Sequence, residues 1–304
     1  MSNALKDVEQ PCDAIDACGA IQLVLTPKDK DLGGFSVRRL LPTARQKMVG
    51  PWIFFDHMGP AHFPAGEGIN VRPHPHIGIA TVTYLFEGEI LHRDSLGNLQ
   101  PIKPGDINLM VCGQGIVHSE RERYEVTSVA HNQHGLQLWL ALPVEAEECE
   151  PAFYHYPDDN IPALNVQGIP VRVMMGTAFG VTSPVKTFAE TLYVEAALEP
   201  GQRLTLPMAD ERAVYVAQGH LKAKDTDLPE HCMAILSPQE GVEIEATEPS
   251  RIAIIGGENI GPRFIEWNFV SSRKERIEQA KEDWRHQRFP LVPGDETEFI
   301  PLPE

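Results

Sequence analysis

Two short stretches carry residues of the types and spacing that metal chemistry needs. Arg72-Pro-His-Pro-His76 sets two imidazoles two residues apart, and Gly115-Ile-Val-His-Ser-Glu120 sets an imidazole and a carboxylate at the same interval. On an extended strand, side chains at i and i+2 point to one face, about 7 Å apart along the chain. Pro75 favours that conformation, because the residue before a proline is pushed toward β or polyproline geometry. Two such strands facing each other inside a small barrel would bring His74, His76, His118 and Glu120 to one point. Imidazole and carboxylate donors suit Fe, Mn, Ni, Cu or Zn, and four protein ligands still leave room for water, O2 or substrate. That openness favours catalysis over a closed structural site. In a chain with 12 histidines one His-x-His is weak by itself; the second i, i+2 pair in a matching strand context gives it weight.

The elements that must position these residues read as strands. Runs at Ile21–Leu25, 35–41 and 52–55 come first, and Asp56-His-Met-Gly-Pro60 reads as a turn that opens a Gly/Pro-rich loop over 61–70. From Arg72 onward short strands alternate with turn signals, including 79–86 and a buried-looking run over 135–142. Residues 143–162 read as a linker, with the acidic run 145–150 solvated. A second series follows at 171–175, 192–198, 213–218, 233–236, 242–246 and 251–255. So many short strands argue a sandwich or barrel rather than βαβ units. The exception is Ser271 onward, where serine N-cap candidates precede a Gly- and Pro-free stretch with Ile277, Ala280, Lys281 and Trp284 on one face. This predicts a helix over 271–286 that packs across a barrel. Residues 1–19 carry no clear pattern.

The halves echo each other. Tyr84-Leu-Phe-Glu-Gly88 resembles Tyr215-Val-Ala-Gln-Gly219, and residues 107–110 and 115–120 are answered by 233–236 and 241–246. The echo sets Ile244 opposite His118 and Ala246 opposite Glu120, and carried back it sets Thr205 and Pro207 opposite His74 and His76. The second half thus repeats the barrel without a ligand. The expected domains are 20–145, metal-binding, and 165–290, lacking ligands and ending in the helix.

The chain has 304 residues, a 42% hydrophobic fraction sufficient for a real core, and a formal net charge of −17. That field repels a phosphate backbone, so direct nucleic-acid binding is not expected. No apolar run could span a bilayer, the N-terminus lacks a signal-peptide core, and five scattered cysteines suit free thiols in a reducing compartment. The expectation is a cytoplasmic protein.

Together, Gly68, His74-x-His76, Gly88, Gly105 and Gly115-x-x-His118 resemble the two cupin motifs. His74-Pro-His-x-Gly78, Thr81-Val-Thr-Tyr-Leu85, Pro104-Gly-Asp106 and Gly113-x-Gly-Ile-x-His118-x-Glu120 are similar to the pirin family over roughly residues 35–290. The resemblance implies an all-β chain of two cupin barrels with a C-terminal helix, holding one divalent ion, Fe(II) first, through His74, His76, His118 and Glu120. It implies a dioxygenase of the quercetinase type that opens a flavonol-like aromatic with O2, Glu120 doubling as general base. The alternative it carries is an iron-dependent, redox-responsive regulator that works through a protein partner. A zinc-filled isomerase or an inert cupin is a third reading. Ala80 stands where many pirins carry glutamate, removing a polar wall residue. Asp56 and His57 either line the pocket, orient a ligand imidazole or shape a turn, and His92 lies on a strand that could face the cavity. His131 and His134 imitate zinc spacing but read as a surface turn.

Overall fold

A computed structural model describes residues 20–31 and 34–303; Cys12 and Cys18 lie outside them, and Cys112, Cys149 and Cys232 are free thiols. The N-terminal half opens with strands β1 (Ile21–Leu25), β2 (Lys28–Asp31), β3 (Ser36–Leu41), β4 (Trp52–Phe63), β5 (Asn70–His76) and β6 (Ile79–Glu87). It continues with β7 (Ile90–Asp94), β8 (Leu99–Ile102), β9 (Ile107–Val111), β10 (Ile116–Arg121), β11 (His131–Ala141) and β12 (Ala152–Tyr156). A seven-stranded sheet, β12-β9-β6-β11-β4-β3-β2, faces a four-stranded sheet, β5-β10-β7-β8, to form the first cupin barrel. The second half repeats the plan with another seven-stranded and another four-stranded sheet.

Alternation along the strands of the large sheet decides what faces where. On β6, Ala80, Val82 and Tyr84 point away from the barrel interior, and so do Leu136, Leu138 and Leu140 on β11. They join Tyr193, Tyr215, Ala253 and Ile255 in one buried cluster that cements the two barrels. The opposite face looks into the first barrel. There, apolar residues close both ends: Phe54, Ile79, Met110, Ile116 and Trp139 at one, Val37, Met58, Val71, Leu85 and Ile90 at the other. Between these ends lies a polar layer.

Several expectations are corrected by the fold. β4 does not stop at Phe55 but runs through residues 56–60 to Phe63, so the expected turn and the start of the expected loop are strand. The division at 145–165 is not clean: β1 pairs with Met233–Leu236 at the edge of the second barrel's sheet, and β12, within the expected linker, pairs with β9 of the first. The helix spans Lys274–Arg285 and buries Ile277, Ala280 and Trp284, but its N-cap is Arg273, without a side-chain cap. It packs with Ile77 and Val117 on the outside of the first barrel. In the acidic run, Glu147 is buried rather than solvated; it accepts hydrogen bonds from Ser272 N (2.9 Å), Ser272 Oγ (2.7 Å) and Ser271 Oγ (3.3 Å) just ahead of that helix.

The echo holds with a one-residue slip. Leu204 pairs with Ile244 as His74 pairs with His118, so Leu204 and Leu206, not Thr205 and Pro207, stand opposite the two histidines. Leu204, Leu206, Ile244 and Ala246 all sit in the second barrel's apolar core. No helix among the described residues is long and apolar enough to cross a membrane.

Candidate metal centre

His74, His76 and His118 come together. His74 and His118 are direct cross-strand partners on β5 and β10, with ring centroids 4.4 Å apart, while His76 lies 5.0 and 5.1 Å from them. Their ligand atoms all fall within 4.8 Å of one another. The turn behind His76 depends on Gly78, which has φ +68° and passes so close to Val270 O that an added Cβ would lie 2.0 Å away.

His74 Nδ1 donates to the Arg72 carbonyl at 2.8 Å, which fixes the tautomer that carries its lone pair on Nε2. Neither ring nitrogen of His76 or of His118 has a hydrogen bond of ordinary geometry to the protein, although the Asn268 main chain approaches His76 closely enough to favour its charged form. Burial dominates all the same: it holds His74, His76 and His118 well below the ordinary imidazole range, with neighbouring histidines adding to the effect at His74 and His118. Burying neutral imidazole nitrogens is costly unless something accepts their lone pairs, and a divalent ion is what three converging nitrogens fit.

Glu120 follows two residues after His118 on the same strand, across a bulge from β5 and opposite His92 on β7. It is 2% exposed, against 0% for His74 and His76 and 1% for His118, so the whole set is closed to bulk water. It is not part of the group of ligand atoms within 4.8 Å. His92 tilts against His118 at 5.4 Å, stacks on Phe153 at 4.4 Å and bonds Asp94 at 2.9 Å. His92 therefore lies at the site's wall.

Asp56 and His57 part company. Asp56 faces the barrel interior and is held by Arg39 through two bonds of 2.8 and 2.7 Å. His57 points the other way, to the junction of the barrels, where Nδ1 meets Tyr215 Oη at 2.6 Å and Nε2 meets His134 Nε2 at 2.7 Å. It neither lines the pocket nor orients a ligand. His134 is thereby partnered on a strand, and His131 pairs with Glu122 at 3.1 Å, so the expected surface turn does not exist. Ala80 lies in the cluster between the barrels, so its small side chain takes nothing from the wall of the site.

The motif reading missed the wall itself. Trp139 packs edge-on to His76 at 4.9 Å and stacks on Phe54 at 3.9 Å. Arg39 lies over the other partner, 4.4 Å from the Phe54 ring centroid. Gln137, Thr83 and Asn108 stand side by side across β11, β6 and β9. The available signal was a polar residue at alternate positions of strands that are otherwise aliphatic.

Two stacked barrels with, among the described residues, one three-histidine centre, in the first, define a bicupin with a candidate metal site. The Pirin family model matches residues 34–140 and the model of the Pirin C-terminal cupin domain matches residues 193–290; the chain belongs to the pirin family. A pirin-like protein of Caulobacter vibrioides is 48% identical over 93% of this chain and 100% of its own length. Human pirin is 30% identical over 87% of this chain and 91% of its own. A crystal structure of quercetin 2,3-dioxygenase from Acinetobacter baumannii superposes with a TM-score of 0.87 at 32% identity, covering 94% of this chain and 95% of that one.

Proposed function

We propose that the protein is a metal-dependent dioxygenase of the quercetin 2,3-dioxygenase type, with His74, His76, His118 and Glu120 holding one divalent ion, Fe(II) first. The observation that supports this most directly is the set of three buried, neutral imidazoles whose ligand atoms converge within 4.8 Å. The near full-length likeness to the Acinetobacter enzyme supports the substrate class, a flavonol-like aromatic, with O2 as co-substrate. An ion in this place supplies Lewis acidity toward a substrate hydroxyl and, if redox-active, a path for electrons to O2. The chain's own residues do the rest. His74 is fixed in one tautomer by Arg72 O. Burial keeps water from the reacting atoms. Glu120 accepts the substrate hydroxyl proton on its carboxylate.

The test is O2 uptake with quercetin by protein of known metal content. Uptake in step with flavonol loss, abolished in His76→Ala together with metal binding, is the expected result. Fully metal-loaded wild-type protein that consumes no O2 with any flavonol overturns the reading. The complete burial of the site favours one second reading, a redox-responsive regulator acting through protein contacts. Binding of a partner that changes with iron oxidation state, without flavonol turnover, would select it.

A further inference from the structure

We infer that the barrel wall facing the three histidines is a subsite for acceptor oxygens, built by Gln137, Asn108 and Trp139. It rests on the dioxygenase reading for the identity of its ligand, and on the following geometry for its chemistry. A row of polar side chains crosses the large sheet on its interior face: Arg39, Asp56, Gln137, Thr83, Asn108 and His155 are successive cross-strand partners on β3, β4, β11, β6, β9 and β12. Part of their hydrogen-bonding capacity is used within the row. Arg39 satisfies Asp56, Thr83 Oγ1 donates to Gln137 Oε1 at 2.9 Å, and Asn108 Oδ1 meets His155 Nδ1 at 2.7 Å.

What is left over is all of one kind. Gln137 Nε2 and Asn108 Nδ2 have no protein partner, and neither has Trp139 Nε1, one alternate position along β11 from Gln137. The three residues are 1%, 2% and 0% exposed. A buried N–H without an acceptor is costly, so three on one wall call for a ligand that accepts. The histidine half of the site offers lone pairs and a carboxylate; the opposite half, across a space of about 10 Å between sheet backbones, offers donors. A ligand that fills both demands binds through oxygen on one side and presents carbonyl or deprotonated hydroxyl oxygens on the other.

The second barrel is the internal control. Its residues at the positions of Thr83, Gln137 and Asn108 are Val214, Ile254 and Ala234, aligned by the same cross-strand pairing and buried in its apolar core. The donor row and the histidines are present together in one barrel and absent together from the other, as expected if they serve one ligand.

The test uses nickel-loaded protein, titrated with quercetin and separately with benzoate, each followed by tryptophan fluorescence and the metal's visible bands. Gln137→Glu and Asn108→Asp keep the oxygen bonded to Thr83 or His155 and turn the free donor into an acceptor; Gln137→Met removes the donor without adding charge. At unchanged nickel content, the two acidic variants weaken binding by about tenfold or more, the scale of one lost hydrogen bond, and Gln137→Met weakens it to a lesser degree. Unchanged affinity in all three would mean that the donors serve buried water, and overturns the subsite. Failure of either probe to bind wild-type protein separates the claims. Quercetin inert while benzoate weakens in the variants removes the flavonol reading and keeps the subsite; both inert removes the subsite. If an acidic variant loses nickel, Gln137→Met, which brings no new carboxylate near the histidines, decides.

Discussion

At the scale of single residues, the centre is a set of buried polar atoms that the fold tolerates because something else will use them. The second barrel shows what the same four positions become without that use: Leu204, Leu206, Ile244 and Ala246. The variant His74→Leu, His76→Leu, His118→Ile is therefore expected to melt higher than the metal-free wild type, by an amount reflecting at least ~1 kcal/mol of relieved unpaired burial, and to show no further shift on adding metal. Wild type, in contrast, gains stability with metal by mass action. Thermal melts with and without nickel check both halves. The histidine spacing was legible in the sequence because a two-residue interval survives any uncertainty about where a strand begins. His57 and Thr205 were misplaced because an error of one residue turns a strand's side chain to the opposite face. Gln137, Trp139 and Asn108 stayed hidden for a different reason. A lone polar residue in an apolar strand looks alike from sequence whether it faces a ligand or a hydrogen-bonding neighbour.

At the scale of elements, the barrel strands and the C-terminal helix could be read from periodicity, and what connects them could not. Residues 143–162 look like a linker by composition, yet they contain β12 and the buried carboxylate of Glu147. That carboxylate organises Ser271 and Ser272 at the entry to the helix, a long-range role that no local pattern announces. Replacing it, as Glu147→Ala, leaves those donors without their acceptor and removes the buried counter-charge 3.8 Å from Arg263, whose guanidinium keeps its bonds to the Leu142 carbonyl. The expected cost is about 1–3 kcal/mol, with faster amide hydrogen exchange in Lys274–Arg285 than in the barrel strands. Equal exchange in that helix before and after the substitution would show that Glu147 does not anchor it.

At the scale of the whole molecule, two large sheets pack face to face, and the seam contains a histidine cluster that must stay neutral. Burial pushes the His57 imidazole down to about 2, with His134 and His231 nearby adding to the effect. Burial also lowers His134 to about 4, with Arg251 and Arg38 reinforcing it and Glu87 opposing. His231 is lowered too, against the pull of Glu230 and Asp29. These folded values lie below the ordinary 6.5, so the seam contributes its full stability above that pH and loses it progressively as pH falls toward 4. Melting temperature should fall between pH 7 and pH 5, and His57→Gln should flatten that slope; a slope as steep as wild type would clear the cluster of the effect. The pairing of β1 with the second barrel bears on the order of synthesis. Among the described residues, β1 has its one sheet partner at Met233–Leu236, some two hundred residues later on the ribosome. Until then β1 waits without that partner, and this edge of the second barrel is completed only once residues 233–236 have been made.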